Sequence, residues 1–300
     1  MKVMSLADAV SLHVRDGDTV FVGGFAHCIP YAAAHAIIRQ GKRDLTICRS
    51  GGDLVVDLLI ASGAARKVII GYLGNPGIGL AHAFRRAAET AAIEIEDWTN
   101  FAICLRLHAG ALGLPFIPAA TLLAGDMPTK QAIDVRTVEC PFTGETLAAI
   151  PALNPDVALV HAQRADTSGN IQMWGILGDT VDGAKASRRV IATVEQVVPD
   201  GVIKANPNWT ILPAYRVDAV CVVPFGAYPS YVHSFYDRAD AFFVEYDSFA
   251  RSAEKLESYI SDWIRAPADW SAFLRKVGRE RLDELKARAI APGLATLSEA

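Results

Sequence analysis

Apolar positions along this chain fall in short bursts separated by glycine-rich turns and helical stretches. Thr19 to Val22 is a β-branched and aromatic run that reads as a buried strand, and it stops at Gly23-Gly24. Before it, Ser5 is placed to cap a helix over 6–14, in which Leu6, Ala9, Val10 and His13 follow helical spacing. After it, Pro30 presets φ for a helix over 31–40, with Gly41 as the stop. The same order recurs three more times. A strand over 45–48 leads through Arg49-Ser50-Gly51-Gly52 to a helix over 53–61 with Asp53 as cap. A strand over 67–71 leads through the glycine-rich loop 72–79 to a helix over 80–90. A strand over 92–96 leads through Asp97 to Asn100 and a helix ending near Leu112.

Strand, glycine or serine loop, helix, repeated four times, predicts an α/β fold: an open, mostly parallel sheet flanked by helices with right-handed crossovers. In such sheets ligands bind beyond the carboxyl ends of the strands. Gly24, Ser50, Asn75 and Trp98 fall at four such ends, and loops converging there outweigh any single glycine pair.

The periodicity weakens over 119–144, which reads as an irregular connection or flap with a turn at Gly125-Asp126-Met127-Pro128. Buried strands resume at 157–162, 189–194 and 219–223. Asp166 to Asn170 turns into a hairpin strand over 171–174, and a short helix covers 183–187. From Ala253 a charged helical tail runs to about 290, with Trp263 and Trp270 as packing anchors. The expected organisation is one domain over 1–300.

Composition narrows this by exclusion. Hydrophobic residues make up 51% and charged residues 21%, which supports a large core. The net charge of −4 and the lack of a basic stripe argue against nucleic acid as a partner. No apolar run approaches the ~20 residues of a membrane span, and no apolar signal region follows Met1. Five scattered cysteines without a C-x-x-C pair suit a reducing cytoplasm better than a disulfide framework or a zinc site, so the expectation is a cytoplasmic protein without a metal.

Catalytic motifs are missing where the loops would place them. Ser50 precedes two glycines but has no G-x-S-x-G elbow, and no H-E-x-x-H or cysteine–histidine ligand spacing occurs. His108 and His161 lie inside apolar patterns and read as satisfied core histidines, whereas His27 on the first glycine loop is a candidate for ligand contact. Cys28 reads as a small apolar filler more readily than as a reactive thiol. Glu94 and Glu96 share a strand face, which fits paired carboxylates and a solvated edge equally well; Arg85-Arg86 reads as a solvated helix face, with contact to a phosphate as the alternative. A strand, glycine turn and helix N-terminus also present free amides to an anionic or carbonyl oxygen. The chain has ligand loops without a self-contained catalytic set, so the reactive group is expected from elsewhere.

The blocks Asp16-Gly17-Asp18-Thr19-Val20-Phe21-Val22-Gly23-Gly24-Phe25, Ala111 to Pro118, Asp156 to Gly175 and Pro224 to Ser230 stand in an order that resembles the alpha subunit of family I coenzyme A transferases, most closely of the glutaconate CoA-transferase type. The resemblance runs nearly end to end. It implies the family I, NagB/RpiA-like fold, and a heteromer in which CoA moves from an acyl-CoA to a carboxylic acid. The intermediate would be a glutamyl-CoA thioester on the nucleophilic glutamate of a beta subunit. It implies acyl-CoA as substrate and no tightly bound cofactor. Gly24 and Phe25 would then support the wall or oxyanion region facing that glutamate. The expected substrate-binding set is Gly23, Gly24, Phe25, Ala26, His27, Ser50, Gly51, Gly52, Asn75, Trp98 and Asn100. Two departures from the pattern stand out. Ala26-His27-Cys28-Ile29-Pro30 is shorter than the family loop and lacks the glycine of its G-x-P, which bears on the acyl pocket. The steroid-ring-cleaving CoA hydrolases, a sister group, carry a glutamate after the fourth strand where this chain has Asn100. An amide cannot act as a base, so transfer is favoured over the alternative of a CoA-thioester hydrolase. A non-enzymatic effector-binding module is the further alternative.

Overall fold

Strand β1 (Thr19–Val22) lies at the point where the sheet reverses direction. It pairs in parallel with β2 (Leu45–Gly52) on one side and β8 (Val157–Asp166) on the other. From β1 the chain runs outward through β2, β3 (Ala65–Leu73) and β4 (Glu94–Asp97). It then returns to the opposite side with β8, β10 (Arg189–Val198) and β12 (Ala219–Val222), so every neighbour in β12-β10-β8-β1-β2-β3-β4 is parallel. Two short antiparallel strands, β9 (Ile171–Gln172) and β11 (Thr210–Leu212), extend the edge beside the end of β8 and complete nine strands. The computed structural model describes residues 2–123, 125–127 and 133–289, and this sheet is the expected open parallel sheet flanked by helices.

All ten residues of β8 are buried, as a strand covered on both faces requires. Each fully buried Val, Leu or Ile there contributes roughly 1.5–3 kcal/mol relative to exposure. Three of the first five helices start on side-chain caps: the Ser5 hydroxyl accepts from the Asp8 amide, the Asp53 carboxylate from Val55, and the Thr99 hydroxyl from Ala102. They begin α1 (Leu6–His13), α3 (Leu54–Ala61) and α5 (Asn100–Leu112) respectively. The other two, α2 (Tyr31–Arg39) and α4 (His82–Glu89), start without one.

Four differences from the sequence reading have physical causes. Ser50, Gly51 and Gly52 belong to β2 and not to a loop. Gly51 and Gly52 pair with Tyr72 and Leu73, and a Cβ on Gly52 would collide with the Leu73 side chain. The glycine is needed for close approach, not for a turn. Within 119–144, Arg136–Glu139 forms β6, which joins β5 (Phe116–Ala119) and β7 (Thr146–Pro151) in a separate antiparallel sheet. The turn expected at 125–128 includes Pro128, which lies outside the described residues. The short helix after the hairpin begins earlier, as α6 (Thr180–Ala186). The helical tail also begins earlier, with Asp240–Ala250, whose buried Phe242, Phe243, Tyr246 and Ala250 form an aromatic helix face. Trp270 is buried as expected of an anchor, its ring 5.1 Å from that of His35 in α2.

Candidate active site

The carboxyl ends of β1, β2 and β8 meet at the reversal point, where an open parallel sheet leaves a crevice between loops that diverge to opposite faces. The Gly23 N–H donates to the Leu159 carbonyl at 2.9 Å, carrying the β1–β8 pairing one residue past the strand. Gly24 then turns away with φ +85°. A Cβ on it would sit 2.6 Å from the carbonyl oxygens of both His27 and Cys28, so glycine is required twice over.

Three side chains hold this peptide. The Thr180 hydroxyl accepts from the Gly24 N–H at 2.8 Å, and Arg49 Nη2 donates to the Gly24 carbonyl at 2.5 Å. Arg49 is buried and ion-paired to Asp53 at 3.1 Å. The Ser230 hydroxyl donates to the Ala26 carbonyl at 2.7 Å. Ala26 and Cys28 also take left-handed φ values, +57° and +52°, so the loop alternates in handedness between Gly24 and Cys28. That alternation turns Phe25 and Ala26 outward while His27 and Cys28 point into the protein.

His27 is fully buried. Its Nε2 accepts from the His233 N–H at 3.0 Å, which leaves the proton on Nδ1 to donate to the Ile176 carbonyl at 3.2 Å. Burial, with only partial compensation from that carbonyl, lowers its pKa to about 4, so the ring is neutral at pH 7. Cys28 is equally buried, and burial followed by the nearby Glu195 carboxylate raises its thiol pKa, so it packs as the expected filler. His27 is therefore a fastener between the glycine loop and the segments at 176 and 233.

The second wall is the end of β2. The Asp179 carboxylate accepts from the Ser50 N–H at 3.1 Å. Asn100, exposed at the first turn of α5, sets its side-chain amide against the Ser50 and Gly71 carbonyls, and assigning the nitrogen to that side gives bonds of 2.6 and 3.3 Å. The Phe25 ring covers Gly51 at 3.4 Å from where its Cβ would be, and on its other side leaves room only for a glycine at Gly178. Gly23, Gly24, Phe25, Ala26, Ser50, Gly51 and Asn100 thus come together at the carboxyl ends of β1 and β2. The rim there is apolar and uncovered: Phe25, Tyr72, Phe101 and Ile176 are 44–60% exposed.

Other expected residues lie elsewhere. Gly52 is packed against Leu73. Asn75 is buried, its Nδ2 donating to the Phe243 carbonyl at 2.9 Å, so it fastens its loop to the C-terminal helices. Trp98 is buried with its Nε1–H on Glu96 at 2.9 Å and the Arg106 guanidinium 4.3 Å from its ring centroid. His161 is the satisfied core histidine expected, between Thr193 Oγ1 at 2.9 Å and Glu195 Oε1 at 2.8 Å. His108 is not in the core: it lies on the exposed side of α5, 3.0 Å from the Asp182 carboxylate. Of the charged pairs, Glu94 and Glu96 both meet Lys67, and Arg86 caps the carbonyl of Ala250 instead of waiting in solvent.

Arg49, Asp179 and Thr180 organise the site and were not singled out from the sequence. The Gly178-Asp179-Thr180 run before a helix was the available signal for two of them. Arg49 looked like part of a loop and gave no signal of its own.

The coenzyme A transferase family model matches residues 3–222. The A-type subunit of the 3-oxoadipate CoA-transferase of Pseudomonas knackmussii is 43% identical over 92% of this chain and 98% of its own length. The A-type subunit of the glutaconate CoA-transferase of Acidaminococcus fermentans is 34% identical over 98% of this chain and 96% of its own. The crystal structure of the Acidaminococcus glutaconate enzyme superposes with a TM-score of 0.92 at 32% identity, covering 98% of this chain and 97% of that one.

Proposed function

We propose, from the premise that this chain belongs to the coenzyme A transferase family, that it is the alpha subunit of a two-chain enzyme moving CoA from an acyl-CoA to a short dicarboxylic acid. The CoA would pass through a glutamyl-CoA thioester on a partner beta subunit, and this chain would supply one wall of the shared site. The observation that supports the reading is a backbone wall at Gly23–Ala26 and Ser50–Gly51, hydrogen-bonded from behind and bordered by exposed apolar side chains. A rim of this kind fits a protein partner better than water.

The chemistry needs a carboxylate to attack the thioester carbonyl and fixed dipoles around the oxyanion that forms. The Gly24 N–H is already bonded to Thr180, so Gly24 acts by shaping the wall and not as a free donor. The neutral His27 beneath it cannot serve as a cation for a second carboxylate. Relatives named for 3-oxoadipate and glutaconate support a dicarboxylic acceptor, and five free cysteines among the described residues suit a reducing cytoplasm.

The hydrolase alternative needs a base where this chain has Asn100, and an amide cannot act as one. The test is co-purification with the partner chain and assay of CoA transfer to 3-oxoadipate, glutaconate and butyrate. The pair transfers CoA to a dicarboxylate, each chain alone is inactive, and changing one partner glutamate to glutamine abolishes transfer. Transfer by this chain alone, or hydrolysis without need of an acceptor acid, overturns the reading.

A further inference from the structure

The C-terminal helices enclose a second concavity that the crevice does not use. It has a volume of about 420 Å³, within the range of small-molecule sites, and lies between Asp240–Ala250, the π-helical turn Ile260–Arg265, Trp270–Val277 and Arg279–Ala289. Its walls are flat rings. Phe249 stacks on Tyr259 at 4.8 Å, Tyr259 on Trp263 at 6.1 Å, and Phe242 and Phe273 close the floor.

One buried donor in this apolar setting lacks a partner among the described residues. Arg281 Nη2 is buried without a hydrogen bond. Its nearest carboxylate, Glu245, lies 4.0 Å from the other terminal nitrogen and is 59% exposed, which leaves Nη2 unclaimed. Tyr228 and Tyr259 also line the cavity. Both share that lining with Arg281. Burial pushes the Tyr228 hydroxyl up to about 12, so it is a donor at neutral pH. Leaving a buried guanidinium N–H unpaired in a cavity lined by six aromatic rings is costly unless something accepts from it.

We propose that this cavity is a binding site for a small monocarboxylate with a flat apolar body. The carboxylate accepts from Arg281 Nη2, with the tyrosine hydroxyls as further donors, and the body lies against the aromatic lining beside Phe242 and Phe273. Glu245 at the mouth disfavours a second negative charge, so the site selects against the dicarboxylates assigned to the crevice. Its occupancy is independent of the transfer reaction.

The test is calorimetric titration of the full-length chain with phenylacetate, with 2-phenylethanol as the neutral analogue and phthalate as the dianion. Trp263 fluorescence serves as a second readout. Phenylacetate binds saturably with Kd on the order of 1 mM, as suits a ligand of its size. The alcohol and the dianion bind at least tenfold more weakly. Arg281→Gln weakens phenylacetate at least tenfold, Tyr259→Phe several-fold, and Asn100→Ala in the crevice leaves Kd unchanged. Arg281→Lys, which keeps the charge, restores part of the loss and controls for misfolding. No saturable binding, equal binding of the alcohol, an unchanged Kd in Arg281→Gln, or loss of binding in Asn100→Ala each overturns the proposal.

Discussion

Two glycine-rich loops stand at strand ends of the same sheet and look alike in sequence, yet one opens onto the crevice and the other is closed off. The loop Gly23–Cys28 is fastened from behind by Arg49, Thr180 and Ser230, which leaves Phe25 and Ala26 outward. The loop 74–79 is fastened from its outer side. Asn75 bonds to the Phe243 carbonyl, and the Asp247 carboxylate lies where a Gly79 Cβ would be. A glycine loop at a carboxyl end becomes a site only if the next layer of chain leaves it bare. Here the C-terminal helices decide which.

The largest effect should come from removing the fastener behind the open loop. Arg49→Met leaves Asp53 buried without its cation and frees the Gly24 carbonyl. Urea unfolding should show a loss of about 3–5 kcal/mol. An unchanged midpoint would mean that the loop does not depend on Arg49.

Next is the histidine under the loop. Its pKa of about 4 lies below the ordinary 6.5, so the unfolded chain takes up a proton that the folded chain refuses between those values. Stability is therefore full above pH 6.5 and falls as the pH drops towards 4, by about 3 kcal/mol from this group. His27→Gln should flatten part of that slope in a series of unfolding curves. His35, whose burial lowers its pKa in the same sense, should account for a further part.

Gly24→Ala tests the bare side of the loop. Its Cβ must displace two carbonyl oxygens at a φ that alanine resists, and a wall shifted by about 1 Å should cost about 100-fold in kcat/KM of the reconstituted pair. Wild-type activity would remove the loop from the site.

The smallest effects separate the two loops most cleanly. Asn75→Ala should cost about 1–2 kcal/mol of stability with KM for acyl-CoA unchanged. Asn100→Ala should leave stability nearly intact and reduce kcat/KM about tenfold, as loss of one positioning contact does. If the two variants exchange these behaviours, the assignment of open and closed loops is reversed.

The sequence carried the parallel sheet and the position of β1 because alternating apolar bursts and glycine stops are local signals. It offered Gly23–Ala26, Ser50, Gly51 and Asn100 as candidates because they stand at the carboxyl ends of predicted strands, and the fold brings these residues together. It did not separate them from Asn75 and Trp98, which meet the same local criteria. Their removal from the crevice depends on contacts with Phe243 and Arg106, and no period within one segment reports such contacts. Arg49 was hidden for a similar reason. A buried arginine looks like any loop cation until its partners, Asp53 and the Gly24 carbonyl, are brought beside it.

The shared-site account is tested most directly by mixing the reconstituted pair with acyl-CoA, without acceptor acid, and locating the CoA adduct by mass spectrometry of each chain. The account predicts a thioester on one glutamate of the partner and none on this chain. An adduct on this chain, or transfer by this chain in the partner's absence, would contradict it.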